Sequence, residues 1–181
     1  PRVQSAEETE EIVRQTRFFP IGQRGISGGG TDADLGGVAI KDYIRFANEN
    51  TFICIQIEDM KAVDQVEKIA AIKGVDIIFV GPTDLSQDIG CPGELKHPAV
   101  IEAIKRTACA CEKNGIYCGT PGLDLDYSKK LINYGVKFLT NGADLGILRS
   151  GYKDLREKYS ELGFTFRTTE ECSSRKSSAY A

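Results

Sequence analysis

Four short runs of apolar, largely β-branched residues, each followed by a stretch with helical spacing, restrict this chain to folds built from βα units. The first run is Phe52-Ile53-Cys54-Ile55-Gln56-Ile57; the others are Val75 to Val80, Ile116 to Gly119 and Val136 to Thr140. Helical spacing follows at Val63, Val66, Ile69 and Ala70, then at Val100, Ile101, Ile104 and Ala108 behind Pro98. Two more helices open near Asp124 and Leu145. Strand–helix–strand units connect right-handed and build a parallel sheet. Both faces of such a sheet are covered, so its strands read as near-continuous apolar runs rather than alternating ones. There is also an internal echo: Gly74-Val75 leads to Gly81-Pro82-Thr83-Asp84-Leu85, and Gly135-Val136 leads to Gly142-Ala143-Asp144-Leu145. Repeated units fit a barrel better than a single unique sheet, although any α/β fold of such units gives the same echo.

Ahead of the first strand, Ser5-Ala6-Glu7-Glu8 is a capping-box pattern in which Ser5 and Glu8 satisfy each other's N–H groups, predicting a helix to about Thr16 that stops before Pro20. Phe18 to Gly37 reads as a long loop, flexible at Gly28-Gly29-Gly30 and Gly36-Gly37, and a loop of this length in a compact domain is usually functional. It is no phosphate loop, because G-x-G-x-x-G spacing is absent and Asp32 and Asp34 repel phosphate. A flexible cover over the barrel mouth is the expectation. Lys41 to Asn48 reads as a short helix. Residues 1–163 are expected to form one barrel portion, and 164–181, rich in Ser, Thr and charge, a disordered tail. The chain opens on Pro1-Arg2-Val3 without an initiator Met, which suggests truncation or processing.

A length of 181 residues suffices for one sizeable core. A net charge of −3 with no Lys/Arg cluster argues against nucleic acid as a partner. No apolar run approaches the roughly 20 residues that cross a bilayer, and no signal peptide opens the chain. The six cysteines include no C-x-x-C pair, and the single His is not spaced for zinc. Buried free thiols in a reducing cytoplasm are the expectation.

Active sites of parallel α/β folds lie at the C-terminal ends of the strands. Two strands end in acids there: Gln56-Ile57-Glu58-Asp59 and Gly81-Pro82-Thr83-Asp84. The strand period of two puts Gln56 and Glu58 on one face and Ile57 on the other. If that face points inward, Asp84 converges on Glu58 from the next strand. Adjacent carboxylates repel unless a proton or cation lies between them. An oxygen-only donor set favours Mg²⁺ or Mn²⁺. The competing reading is that each acid caps the helix that follows it, Asp84 more easily than Glu58. The N–H groups of Thr83 and Asp84 near a helix start suit a small carboxylate, but an ordinary βα turn looks much the same.

Gln56-Ile57-Glu58, the stretch Gly74 to Ser86 with its Gly81-Pro82-Thr83-Asp84-Leu85-Ser86 segment, and His97-Pro98 together resemble the HpcH/HpaI aldolase family. Phe19 to Gly25 is similar to that family's loop before the fifth strand, and Gly142-Ala143-Asp144-Leu145 to its eighth-strand ending; the resemblance covers about residues 1 to 160. It implies the C-terminal half, about strands 5–8, of a (β/α)₈ TIM barrel. Glu58 and Asp84 would then be ligands of a divalent metal, Mg²⁺ or Mn²⁺ with Co²⁺ as the third option. Gln56 and the backbone of Thr83 and Asp84 would hold a pyruvate-like carboxylate and keto oxygen. The implied reaction cleaves a 2-oxo acid, a keto-deoxy sugar acid or hydroxy-oxo diacid, to pyruvate and an aldehyde through a metal-stabilised enolate. A homo-oligomer is implied as well. The family's His base, the acid that tunes it and an enolate-stabilising Arg belong to the other half of the barrel, so the catalytic residue is left unassigned. His97 reads as a helix entry with Pro98 at the first helical position, and Arg24 as a loop brace rather than a substrate contact. Two alternatives remain. One is an acyl-CoA ester lyase of the citrate-lyase β-subunit type; the other is a non-catalytic half-barrel or scaffold, which open sheet edges would drive to dimerise or aggregate.

Overall fold

A computed structural model describes residues 1–166 and contains the four expected strands: β1 Cys54–Ile57, β2 Ile77–Val80, β3 Tyr117–Pro121 and β4 Phe138–Thr140. They form one sheet in the order β1-β2-β3-β4, every neighbouring pair parallel. The register sets Gln56 beside Phe79, Phe79 beside Gly119, and Gly119 beside Phe138. Parallel strands in chain order, each returning through helix, are consecutive units of a (β/α)₈ barrel.

The helices are α1 Ala6–Thr16, α2 Ile40–Asn50, α3 Met60–Val63, α4 Val66–Ala70, α5 Pro82–Asp88, α6 Pro98–Lys113, α7 Leu125–Asn133 and α8 Asp144–Ser160. One face of the sheet packs on α4 and α6: Ile55, Ile57, Ile78 and Val80 share a core with Val66, Ile69, Val100 and Ile104. Burying each such side chain contributes about 1.5–3 kcal/mol. Glycines in the left-handed region deliver the chain from helix end to strand, Gly74 at φ +101° before β2 and Gly135 at φ +95° before β4. These are the two glycines of the sequence echo, and only a residue without Cβ makes that turn unstrained.

The opposite sheet face carries Cys54, Gln56, Phe79 and Tyr117. The two-sided covering expected from the sequence does not hold for it, since Tyr117 is 53% exposed. Cys54 and Cys109 are exposed as well, and among the described residues only Cys111 and Cys118 fit the expectation of buried free thiols, with Cys91 between; Cys172 lies outside the described residues. Cys54 points to the open face, and Cys109 lies off the buried stripe of α6.

Ser5 caps α1 by accepting from the Glu8 N–H at 3.1 Å. The Glu8 carboxylate accepts from Gln4 N rather than Ser5 N (2.9 Å), so the capping box is displaced by one residue. The single helix expected after β1 is broken into α3 and α4 at Gln65, whose side-chain amide instead reaches back to Ala6 N and the Gln4 carbonyl. The glycine-rich loop is pinned rather than free. Phe18, Ala33, Tyr43 and Ala47 form a satellite core, and Tyr43 donates to Asp32 at 2.6 Å. Arg24 lies over the Phe18 ring at 4.7 Å and 3.7 Å from Asp32, as a loop brace.

Residues 1–141 make one compact unit and a second begins at Gly142. The second contains α8, none of whose residues is buried, with Leu145, Ile147 and Tyr152 exposed. Of the tail expected over 164–181, residues from 167 onward lie outside the described residues. Among the described residues no helix is long and apolar enough to cross a membrane.

Candidate active site

Strand β1 delivers Gln56 and Glu58 to the same side, as a period of two requires, while Ile57 between them is fully buried on the helix side. Glu58 lies one residue beyond the strand and is only 8% exposed. One of its oxygens, Oε1, accepts from Gln56 Nε2 at 2.7 Å. The other, Oε2, accepts from the backbone N–H of Arg2 at 2.9 Å. Arg2 is brought there because the segment before α1 runs along β1, Val3 N donating to the Gln56 carbonyl at 3.1 Å.

The carboxylate leans over the end of the neighbouring strand. A Cβ built on Gly81 would lie 2.6 Å from Glu58 Oε1, 2.7 Å from its Cγ and 3.1 Å from Gln56 Nε2. Glycine at 81 therefore makes room for the pair. Its φ of −89° is open to any residue, so the constraint is space and not backbone conformation. Pro82 then starts α5 at its first position, with Asp84 in the first turn. Asp84 is half-buried and accepts no hydrogen bond from a described residue. The N–H groups of Thr83 and Asp84 belong to the first helical turn, where no intrahelical acceptor exists. Buried Ser86 closes that turn by donating to the Thr83 carbonyl at 2.7 Å. Thr120 ties β3 to the end of β2, its hydroxyl donating to the Val80 carbonyl at 3.0 Å.

This arrangement bears on the capping alternative. The cap of α3 is Asp59, which accepts from Ala62 N at 2.8 Å, so Glu58 is not engaged as one. The cap position of α5 is Gly81, without a side-chain bond, so Asp84 makes none either. Among the described residues no Lys or Arg forms an ion pair with Glu58 or Asp84. A nearly buried carboxylate held only by amide donors is left with uncompensated charge, a costly state that a cation relieves. Oxygen donors alone are what Mg²⁺ or Mn²⁺ takes, so the residues present fit such an ion.

His97 is where the sequence puts it, at the N-cap of α6 with Pro98 following, its Nδ1 accepting from Ala99 N at 3.3 Å. Two contributors escape the sequence reading. Gly81 had a signal, a glycine between an apolar run and a proline, but its contact with Glu58 did not follow from it. The Arg2 N–H had none, because a backbone donor carries no side-chain signature.

The sequence profile of the HpcH/HpaI aldolase/citrate lyase family matches residues 1–150. The chain is 38% identical over 149 residues to a hydroxypyruvate/pyruvate aldolase of Delftia acidovorans, covering 82% of this chain and 55% of that protein. It is 35% identical over 161 residues to a 5-keto-4-deoxy-D-glucarate aldolase of Klebsiella pneumoniae, covering 89% and 62%. Among solved structures it is similar to the HpcH/HpaI aldolase from Desulfitobacterium hafniense, with a TM-score of 0.79 and 32% identity, covering 88% of this chain and 62% of that one. The chain thus spans between 55% and 62% of the length of these relatives.

Proposed function

Because the chain belongs to the HpcH/HpaI aldolase/citrate lyase family, we propose that it carries the cation- and carboxylate-binding side of a lyase site that cleaves a 2-oxo acid to pyruvate and an aldehyde. The observation that carries this reading is the buried Glu58 carboxylate, oriented by Gln56 and seated against Gly81, with no cationic side chain among the described residues to neutralise it. Relatives named as aldolases favour this branch over an acyl-CoA ester lyase.

In this reading Glu58 and Asp84 hold Mg²⁺, Mn²⁺ or Co²⁺, which when bound polarises a 2-oxo group as a Lewis acid. The first-turn N–H groups of Thr83 and Asp84 receive the substrate carboxylate, as helix N-termini do. Gln56 orients Glu58 through its Nε2 and offers polar contact to the keto end. Proton transfer has no assigned residue, because His97 is engaged as the cap of α6. We read the working form as a cytoplasmic homo-oligomer. The exposed aromatic side chains Phe19, Phe46 and Phe52 favour association, and the free thiols favour a reducing compartment.

A thermal melt with Mn²⁺, alone and with pyruvate, tests the site. A ligand at a hundredfold its dissociation constant adds about 2.7 kcal/mol, which for a chain of this size raises Tm by about 5–11 °C. Glu58→Ala and Asp84→Ala should abolish the shift. If the unaltered chain does not shift, or Glu58→Ala shifts equally, the metal assignment is wrong.

A further inference from the structure

A second set of metal-type donors lies outside the Glu58 site, in the loop that joins α5 to α6. Cys91, Glu94 and His97 each offer a ligand atom there, and the three atoms lie within 4.8 Å of one another. The loop's backbone explains why they meet. Glu94 N donates to the Cys91 carbonyl at 3.1 Å and His97 N to the Glu94 carbonyl at 2.9 Å, two successive turns. A turn brings its first and fourth residues close, so Cys91 approaches Glu94 and Glu94 approaches His97. Gly93, in the left-handed region at φ +85°, lets the first turn pass into the second.

The loop is anchored rather than loose. Cys91 N donates to the Ser86 carbonyl at 2.8 Å and Gly93 N to the Ser86 hydroxyl at 3.0 Å, and Ser86 is fully buried. An open cleft of about 510 Å³ borders the cluster, lined by Gly93 to Pro98 and Leu123.

We propose that Cys91, Glu94 and His97 form a three-ligand site for Zn²⁺, separate from Glu58 and Asp84. One thiolate, one carboxylate and one imidazole make a borderline-soft set that selects zinc over magnesium. Tetrahedral zinc with bonds of about 2.0–2.3 Å places its ligand atoms about 3.5 Å apart. Rotation of the exposed Glu94 and half-buried His97 side chains closes the remaining gap. The fourth position faces the cleft and takes water. From the sequence the single His is not spaced for zinc and His97 is a helix entry, whereas the C-x-x-E-x-x-H spacing within one loop is the relevant pattern. Binding displaces the Ala99 N–H from His97 Nδ1, or needs a proton there, so the 3.3 Å cap bond is given up in either case.

The test uses the full chain freed of metal with a chelator and titrated with Co²⁺ as a spectroscopic stand-in for Zn²⁺. A cobalt–thiolate charge-transfer band should appear in the unaltered chain, and in Glu58→Ala it should saturate at one equivalent. Cys91→Ser should remove the band, and Cys109→Ser should not. His97→Asn, which keeps a cap acceptor, should weaken binding by more than the roughly 10–100-fold typical of groups outside the ligand set. Absence of the band, or a band unchanged in Cys91→Ser, overturns the site. Should Cys91→Ser fail to fold, alkylation of the unaltered chain decides: Zn²⁺ must protect Cys91 in peptide mapping, and equal labelling with and without Zn²⁺ refutes it. Persistence of the band in Glu58→Ala separates this site from the one proposed above.

Discussion

Replacing Gly81 with alanine tests the geometry of the Glu58 seat directly. The added methyl would meet Glu58 Oε1 at 2.6 Å and Cγ at 2.7 Å, where van der Waals contact requires about 3.5 Å. Something must move by nearly 1 Å, and the mobile partner is the Glu58 side chain. Overpacking of this kind costs about 1–3 kcal/mol. Losing the bond from Gln56 to a charged carboxylate adds about 1.5–3 kcal/mol. A compatible backbone at φ −89° returns about 0.4–1 kcal/mol through the unfolded state. The net is a loss of about 1.5–5.5 kcal/mol, or about 3–22 °C in Tm for a chain of this length. Urea unfolding of Gly81→Ala, Glu58→Ala and the double variant closes the cycle. With Glu58 truncated the methyl meets only the flexible end of Gln56, at 3.1 Å, so Gly81→Ala should cost far less than it does in the unaltered chain. Additive losses in the double variant would refute the claim that Glu58 rests on Gly81.

Asp76→Asn leaves the 4% exposed Arg17 guanidinium without its carboxylate and weakens the acceptor for Ile53 N. Because Asp76 is 40% exposed, the expected loss is about 2–3 kcal/mol, below the full value for breaking a buried pair; a change under about 0.5 kcal/mol in a urea titration contradicts it. Gly74→Ala combines φ +101° with a Cβ 2.7 Å from Val13 Cγ1, so about 2–4 kcal/mol should be lost, and an unaltered denaturation midpoint rejects that packing. The hydrogen bond with Cys111, followed by burial, pushes the Cys118 thiol above its ordinary value of 9.0. The folded chain therefore holds its proton where the unfolded chain has lost it, so this stability is complete below about pH 9 and falls as pH rises beyond it. Cys118→Ala should flatten the alkaline decline in the urea midpoint, and an identical slope would exclude the thiol as its source.

The sequence was most legible where chemistry and periodicity coincide. Gln56 and Glu58 share a side because a strand alternates, and Asp84 follows Gly81-Pro82 because a helix starts there; neither depends on distant contacts. The partners of Glu58 were harder to read. Arg2 reaches it across 56 residues, and a peptide N–H is invisible to any reading of side chains. Cys54 was misread for a related reason. An apolar run signals a strand covered on both faces, but in this chain the face bearing Cys54 is open. The loop from Phe18 to Gly37 misled through its glycines, since Phe18 and Tyr43 close edge to face at 5.4 Å and supply order that local composition does not announce. The break at Gln65 is likewise decided by its bonds to Gln4 and Ala6, far away along the chain.

The ion pair between Arg17 and Asp76 also sets an order of events during synthesis. The two residues are 59 positions apart, and a ribosome adding about 5–20 residues per second needs about 3–12 s to supply the second after the first. Throughout that interval Arg17 lacks Asp76, and Val13 lacks the Gly74 turn it packs against. Helix α1 is thus made before the residues that anchor its C-terminal end. The segment before α1 meets β1 first, through Val3 and Gln56, while the end of the helix waits for Gly74 and Asp76, which arrive just ahead of β2.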